Sequence, residues 1–144
     1  MRRLLLLTIG FGAILWPGPL PDFARRGSAL YHGRHALKGK IRGHDEFLPA
    51  DAVRCANCHE AARGGQLGRL TAPRLDRSLL VDSRQRRGGP PSQYNRQSFC
   101  KLLRTGVDPA SILIARQMPI YEMDEDQCTS LWIFLTGAQP DAKR

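Results

Sequence analysis

Two cysteines and a histidine form the most specific chemical pattern in the chain, Cys55-Ala56-Asn57-Cys58-His59. Thiols at this spacing can each form a thioether with a porphyrin vinyl group, and the adjoining imidazole can then bind the iron. A Cys-x-x-Cys pair can also be a redox dithiol or half of a zinc site. A dithiol does not need the histidine, however, and zinc needs further ligands. The motif therefore predicts one covalently attached haem c per chain, with His59 on the iron.

Haem iron has two axial positions, so a second ligand is expected. Met118 precedes Pro119, and proline fixes its own φ and biases the preceding residue away from helix. A methionine held in this way suits an iron ligand, and we expect Met118 to fill the position. The alternative is that it fills the apolar core, which is how we interpret Met123. Three upstream histidines compete as ligands and are expected to be solvated: His32, His35 and His44.

The N-terminus predicts export. A basic start, Arg2-Arg3, is followed by a mostly apolar run over residues 4–16 and then by three closely spaced prolines, which are expected to break any helix. A membrane span needs roughly 20 apolar residues, so this run is too short and indicates a signal peptide. We expect residues 1–24 to be this segment, with an uncleaved anchor as the alternative. Residues 25–137 would then form the folded domain in the periplasm, and residues 138–144 a C-terminal tail.

The net charge of the 144-residue chain is +9. Removal of residues 1–24 takes away Arg2, Arg3 and Asp22 and lowers this charge to +8. The basic residues are scattered and no nucleic-acid motif is present, so nucleic acid is not an expected partner. We expect acidic redox proteins as partners. Membrane contact is expected only through an uncleaved anchor or a membrane-bound partner, and the chain is expected to be a monomer or a small subunit of a complex.

Two helices are predicted in the C-terminal half. The first begins at about Tyr94 and ends at Gly106, with an apolar face formed by Phe99, Leu102 and Leu103. The second begins after Asp124, which forms a capping box with Gln127, and stops at Gly137. Its apolar face follows helical spacing: Cys128, Leu131, Trp132 and Leu135.

With these features in place, the chain resembles the class I cytochromes c from about Gly27 to Thr136. The haem motif carries most of the resemblance, followed by Met118-Pro119-x-Tyr121 before an acidic helix start. Weaker matches are Gly27-x-x-Leu30-Tyr31 and Leu131-Trp132-x-x-Leu135, residues that in the family fill the crossing of the first and last helices. The resemblance implies an all-α fold, the cytochrome c fold, with three to five helices and long loops wrapped around one haem.

The resemblance also implies two structural contacts. The family usually has Gly-Pro-x-Leu after the haem motif, and the proline carbonyl accepts a hydrogen bond from the iron-binding histidine. Ala72-Pro73-x-Leu75 matches except at the glycine, so Pro73 is expected to orient His59. In the family the helices that carry Cys100 and Cys128 pack together, which implies a disulfide in an exported protein. The alternative is a pair of buried free thiols.

These features predict a one-electron carrier rather than an enzyme, because an iron with both axial positions filled has no open site for substrate. A dedicated cytochrome subunit of an oxidoreductase is the first alternative. A haem sensor or small peroxidase-like enzyme, which needs a displaceable sixth ligand, is the second. Three arginines are expected either to pair with the haem propionates or to be solvated: Arg84, Arg86 and Arg87. We expect the loops at 39–54 and 76–93 to determine partner choice.

Overall fold

A computed structural model describes residues 19–60 and 72–138 of the chain. Most of the predicted signal peptide (up to residue 18), the loop at 61–71 and nearly all of the predicted tail (139–144) lie outside these residues. The described part contains five helices, α1 Pro19–Tyr31, α2 Ala56–His59, α3 Arg77–Val81, α4 Arg96–Thr105 and α5 Glu125–Thr136, and four short strands, β1 Lys38–Lys40, β2 Arg84–Gln85, β3 Pro91–Ser92 and β4 Ile120–Glu122.

The prediction of an all-α fold is wrong, because two small antiparallel sheets accompany the helices. β1 pairs with β4, with Gly39 opposite Tyr121, and β2 pairs with β3. The backbone after Pro119 is extended, so β4 presents N–H and C=O groups that need partners. β1 supplies them from the long segment between α1 and α2, which the sequence pattern indicated only as a loop. The strands are two or three residues long, so helices still dominate the fold.

Helix α1 begins at Pro19 and contains Pro21, although the prolines were expected to break any helix. Proline is tolerated in the first turn of a helix because the N–H groups there have no intrahelical acceptor. The helix continues through Ala24, so the expected cleavage position lies within α1. Among residues 19–60 and 72–138, no helix is long and apolar enough to cross a membrane.

The first and last helices cross in close contact. A Cβ atom placed on Gly27 of α1 would lie 2.0 Å from the carbonyl oxygen of Ser130 in α5 and 2.6 Å from Phe134 Cβ. Only glycine permits the two backbones to come this near. On either side of the crossing, Leu30 and Leu131 are almost fully buried. The crossing that the resemblance implied is therefore present between α1 and α5.

The two C-terminal helices have well-defined ends. In α5, the Asp124 and Gln127 capping box and the termination at Gly137, where φ is 64°, confirm the prediction. Helix α4 ends at Gly106 as predicted, with φ of 73°, but begins at Arg96 rather than at Tyr94. The shift has a local cause, because the Asn95 side chain accepts a hydrogen bond from the Ser98 N–H in a second capping box.

A single apolar cluster connects these elements. The predicted core residues of α4 are buried, as are Leu131 and Trp132 of α5, whereas Leu135 is only partly buried. A disulfide between Cys100 and Cys128 joins α4 to α5 inside this cluster, with the two Cα atoms 5.8 Å apart. The chain between the two cysteines includes Met118, so the loop that carries this residue is fastened at both ends.

Candidate functional site

The haem motif forms a single helical turn. Helix α2 begins directly after Cys55, whose carbonyl oxygen accepts hydrogen bonds from the N–H groups of Cys58 (3.2 Å) and His59 (3.0 Å). The Asn57 side chain donates to the Asp51 carbonyl oxygen at 2.7 Å and ties the turn to the preceding loop. Both thiols are free, that of Cys55 partly buried and that of Cys58 exposed. The turn thus presents two thiols and an imidazole within five residues.

His59 is oriented by the carbonyl group of Pro73. The Nδ1 atom of His59 donates to the Pro73 oxygen at 2.6 Å, and because a carbonyl only accepts, the proton must be on Nδ1. Burial lowers the pKa of His59, and the hydrogen bond to Pro73 partly opposes this effect. The lowered pKa favours the neutral imidazole, and with the proton on Nδ1 its unprotonated nitrogen is Nε2, the form that binds a metal ion.

The segment that carries Pro73 is anchored to the rest of the fold by α3. The Asp76 side chain caps this helix by accepting a hydrogen bond from the Leu79 N–H at 2.7 Å. From the first position of α3, Arg77 Nη1 donates to the Thr136 carbonyl oxygen at the end of α5, at 2.8 Å. The hydrogen bond between Arg77 and α5 therefore helps to fix the position of the Pro73 carbonyl oxygen that accepts from His59.

Met118 lies in the turn before β4. Its N–H donates to the Ala115 carbonyl oxygen at 3.1 Å, and its side chain is partly buried against the core cluster. Met123, between β4 and α5, is also partly buried and packs against the same cluster. Burial therefore does not distinguish the two methionines. The difference is that Met118 is fixed between a backbone-bonded turn and Pro119.

Tyr121 connects the strand after Met118 to the start of the haem motif. Its side chain is buried, and its hydroxyl donates to the Val53 carbonyl oxygen at 2.9 Å. Cys55, two residues beyond Val53, lies beside the same hydroxyl, and burial together with this thiol raises the pKa of Tyr121. The sequence pattern included Tyr121 in a family motif but gave no indication of this contact, because Val53 lies 68 positions upstream.

Residues 38–53, which we call the strap, make further contacts with the Met118 loop. Arg42 Nη2 donates to the Ile114 carbonyl oxygen at 3.2 Å, and Arg116 Nη2 donates to His44 Nε2 at 2.8 Å. Together with the pairing of β1 and β4, these bonds attach the strap to the chain on both sides of Met118. Part of the 39–54 loop, expected to determine partner choice, is thus a support for the Met118 segment.

Two of the three histidines that competed with Met118 have other partners. Both ring nitrogens of His32 face oxygen acceptors, the Ser28 carbonyl at 2.8 Å and a Glu60 carboxylate oxygen at 3.0 Å. His44 Nε2 accepts from Arg116. Both nitrogens of His32 and the Nε2 of His44 are consequently engaged within the described part of the chain. His35 is exposed at the start of the segment that leads to β1.

Three arginines were expected either at the haem propionates or in solvent, and two of them have a different role. Arg86 donates to the carbonyl oxygens of Leu79 and Ser92 and lies over the ring of Tyr94, 5.0 Å from its centroid. Arg84 donates to the Ser78 carbonyl oxygen at 3.0 Å. These guanidinium groups hold the 76–93 loop together. Only Arg87 of the three is exposed, as the alternative of a solvated loop proposed.

The residues present fit a covalent haem. Two free thiols and a histidine with an available Nε2 share one turn. Arg42 Nη1, beside the Met118 loop, is buried without a hydrogen-bond partner in the described structure, which suits a carboxylate such as a propionate.

The structure also bears on the two other interpretations of the cysteine pair, a redox dithiol and half of a zinc site. A redox dithiol needs one thiol of lowered pKa, and burial raises the pKa of the Cys55 thiol to about 11, so Cys55 is unsuited to be the attacking thiol. Zinc needs a cluster of ligands, and residues 19–60 and 72–138 hold no group of three or more His, Cys, Asp or Glu side chains arranged around a metal ion. An iron held by one histidine and one methionine would not form such a cluster.

Comparisons with known proteins leave the family of the chain open. No protein-family model matches the sequence, and neither a curated protein nor a solved structure matches it significantly. The function of the chain is therefore inferred from its motifs and from the geometry of its described residues.

Proposed function

We propose that this protein is a single-haem c-type cytochrome that carries one electron at a time. The observation that supports this function best is the α2 turn, where two free thiols accompany a histidine whose Nδ1 is bonded to the Pro73 carbonyl oxygen. The crossing of α1 and α5 at Gly27 adds support, because it is the helix contact that the resemblance to class I cytochromes c implied.

Each residue has a defined part in this proposal. Cys55 and Cys58 would hold the haem covalently, His59 and Met118 would bind the iron, and Pro73 orients His59. When bound, the haem supplies a one-electron ferric–ferrous couple. His59 and Met118 would together exclude other ligands from the iron, and the thioether of Met118 would favour the ferrous state. The protein therefore acts as a carrier rather than as an enzyme.

The proposed partners are acidic redox proteins, because the net charge of the chain is +9 and would be +8 after cleavage at Ala24. The buried disulfide between Cys100 and Cys128 agrees with the oxidising environment of the periplasm. We therefore place the protein there, as a shuttle between redox partners. Association that weakens with salt would support the shuttle, whereas stable co-purification would support a dedicated subunit.

The experiment that tests the proposal is an optical spectrum of the protein matured in a bacterial periplasm. Wild type is expected to show a c-type haem with the weak far-red ferric band of methionine–iron ligation. Met118→Ala is expected to lose this band while keeping the covalent haem. Met123→Ala is the matched control, because Met123 is also partly buried against the core, and it should keep the band.

Two results would contradict the proposal in different ways. Absence of covalent haem from the matured wild-type protein would exclude a c-type cytochrome altogether. Covalent haem without the far-red band, combined with ready binding of carbon monoxide or cyanide, would indicate an open iron site. The haem sensor or the small peroxidase-like enzyme would then be the better interpretation.

A further inference from the structure

Tyr121 makes the buried hydrogen bond that connects the Met118 segment to the haem-attachment turn. The residue lies three positions after Met118, and its hydroxyl donates to the carbonyl oxygen of Val53, two positions before Cys55. Tyr121 is 6% exposed and Val53 2%, so water cannot readily replace either partner. Loss of the hydroxyl would leave a buried carbonyl without a donor, which is more costly than loss of an exposed hydrogen bond.

The strap provides the space for this bond. Gly39 of β1 pairs with Tyr121, and a Cβ atom at Gly39 would lie 3.0 Å from Val53 Cγ1 and 3.2 Å from Tyr121 Cε1. The tyrosine ring thus fits between the glycine and Val53. A side chain at position 39 would press on both partners of the hydrogen bond and shift them by a few tenths of an ångström, so glycine on the neighbouring strand favours the contact.

We propose that Tyr121 is a positioning residue that holds Met118 on the haem iron by fastening β4 to the backbone before Cys55. This inference rests on the proposed function, because it takes Met118 as an iron ligand. The strand cannot move away from the haem-attachment turn without breaking the bond to Val53. The closed arrangement, with Met118 on the iron, is therefore favoured over an open arrangement in which an external ligand can bind.

The test is the affinity of the ferric holoprotein for imidazole, which competes with Met118 for the iron. Tyr121→Phe removes only the hydroxyl and keeps the ring. Loss of one buried hydrogen bond corresponds to about a tenfold increase in the open population, so imidazole should bind about tenfold more tightly. The far-red band should persist in the variant without imidazole and disappear at correspondingly lower imidazole concentrations.

Tyr94→Phe is the matched control, because Tyr94 is also a buried tyrosine but lies just before α4, with its ring beneath the Arg86 guanidinium. Its imidazole affinity should equal that of wild type even where unfolding by urea shows a loss of stability. Gly39→Ala perturbs the same contact from the opposite strand and should also tighten imidazole binding. If Tyr121→Phe does not mature, Gly39→Ala decides the question.

The outcomes separate this inference from the proposed function. A wild-type spectrum without the far-red band would mean that Met118 is not the ligand, and both would fail. A wild-type band combined with unchanged imidazole affinity in Tyr121→Phe, or in Gly39→Ala where the first variant cannot be made, would overturn the role of Tyr121 alone. An equal increase in imidazole affinity in Tyr94→Phe would also overturn the role of Tyr121, because the increase would then result from general destabilisation of the protein.

Discussion

Gly27 and Ser130 hold the first and last helices at a separation that no larger residue permits. A Cβ atom at Gly27 would lie 2.0 Å from the Ser130 carbonyl oxygen, and a backbone oxygen within a helix cannot swing aside as a side chain can. The contact places α1 directly on α5. Helix α5 contains Cys128 of the disulfide, and its Thr136 carbonyl oxygen accepts the hydrogen bond from Arg77 that anchors the segment of Pro73. The crossing therefore supports both sides of the proposed haem site.

Gly27→Ala is expected to destabilise the holoprotein by about 2 kcal/mol. The two helices must separate to admit the methyl group, and such overpacking costs roughly 1–3 kcal/mol although alanine favours helix more than glycine does. Unfolding by urea, followed by haem absorbance, measures the change. Arg25→Ala, at an exposed position of the same helix, should change stability by less than about 0.5 kcal/mol. Equal effects of the two substitutions would contradict the close crossing.

Removal of the disulfide by the double substitution Cys100→Ala and Cys128→Ala is expected to cost about 3–4 kcal/mol. The bond closes a loop with a sequence separation of 28, and its loss increases the conformational entropy of the unfolded chain. Urea unfolding with and without reductant measures the difference. The holoprotein should show no free thiols when unfolded without reductant and two after reduction. Two thiols in the unreduced protein would show that the bond does not form.

Arg86→Ala should destabilise the protein by about 2–3 kcal/mol, whereas Arg87→Ala should have almost no effect. The Arg86 guanidinium donates to the partly buried backbone carbonyls of Leu79 and Ser92 and lies over the Tyr94 ring, but Arg87 is exposed. Both substitutions remove one positive charge, so any charge effect on partner association cancels in the comparison. Comparable stability of the two variants would mean that the 76–93 loop is not held by Arg86.

Asp76 is expected to make stability depend on acid pH. The Leu79 N–H and the Ser78 hydroxyl, which donate to its carboxylate, hold the pKa of Asp76 below its ordinary value. A carboxyl group with a depressed folded-state pKa stabilises fully above its unfolded pKa, near 4, and loses this contribution as pH falls through the folded value.

Urea midpoints measured across pH test this expectation. Asp76→Ala should lower the midpoint at neutral pH, and its difference from wild type should shrink below about pH 4. Asp76→Asn should keep most of the cap without that pH dependence, because asparagine is also a good N-cap. Asp82→Ala, at an exposed residue beyond the end of α3, serves as control. If the difference in urea midpoint between wild type and Asp76→Ala stayed constant down to pH 2, Asp76 would not be the source of the pH dependence.

The amino-acid sequence determined the local features of this protein. The capping box of Asp124 and Gln127, the stop at Gly137 and the end of α4 at Gly106 each depend on residues within one helical turn. The same holds for the thiol and imidazole spacing of the haem motif. Such features are readable because the interacting groups are separated by a few residues and the backbone geometry between them is fixed.

Only the tertiary structure decided how distant segments meet. The pairing of β1 with β4 changed the expected fold class, and the bond from Tyr121 to Val53 spans 68 positions. Arg86 was expected at the haem or in solvent, yet it binds carbonyl groups of its own loop. A donor's choice among many backbone carbonyls depends on which of them the folded chain brings near, and side-chain type alone does not carry that information.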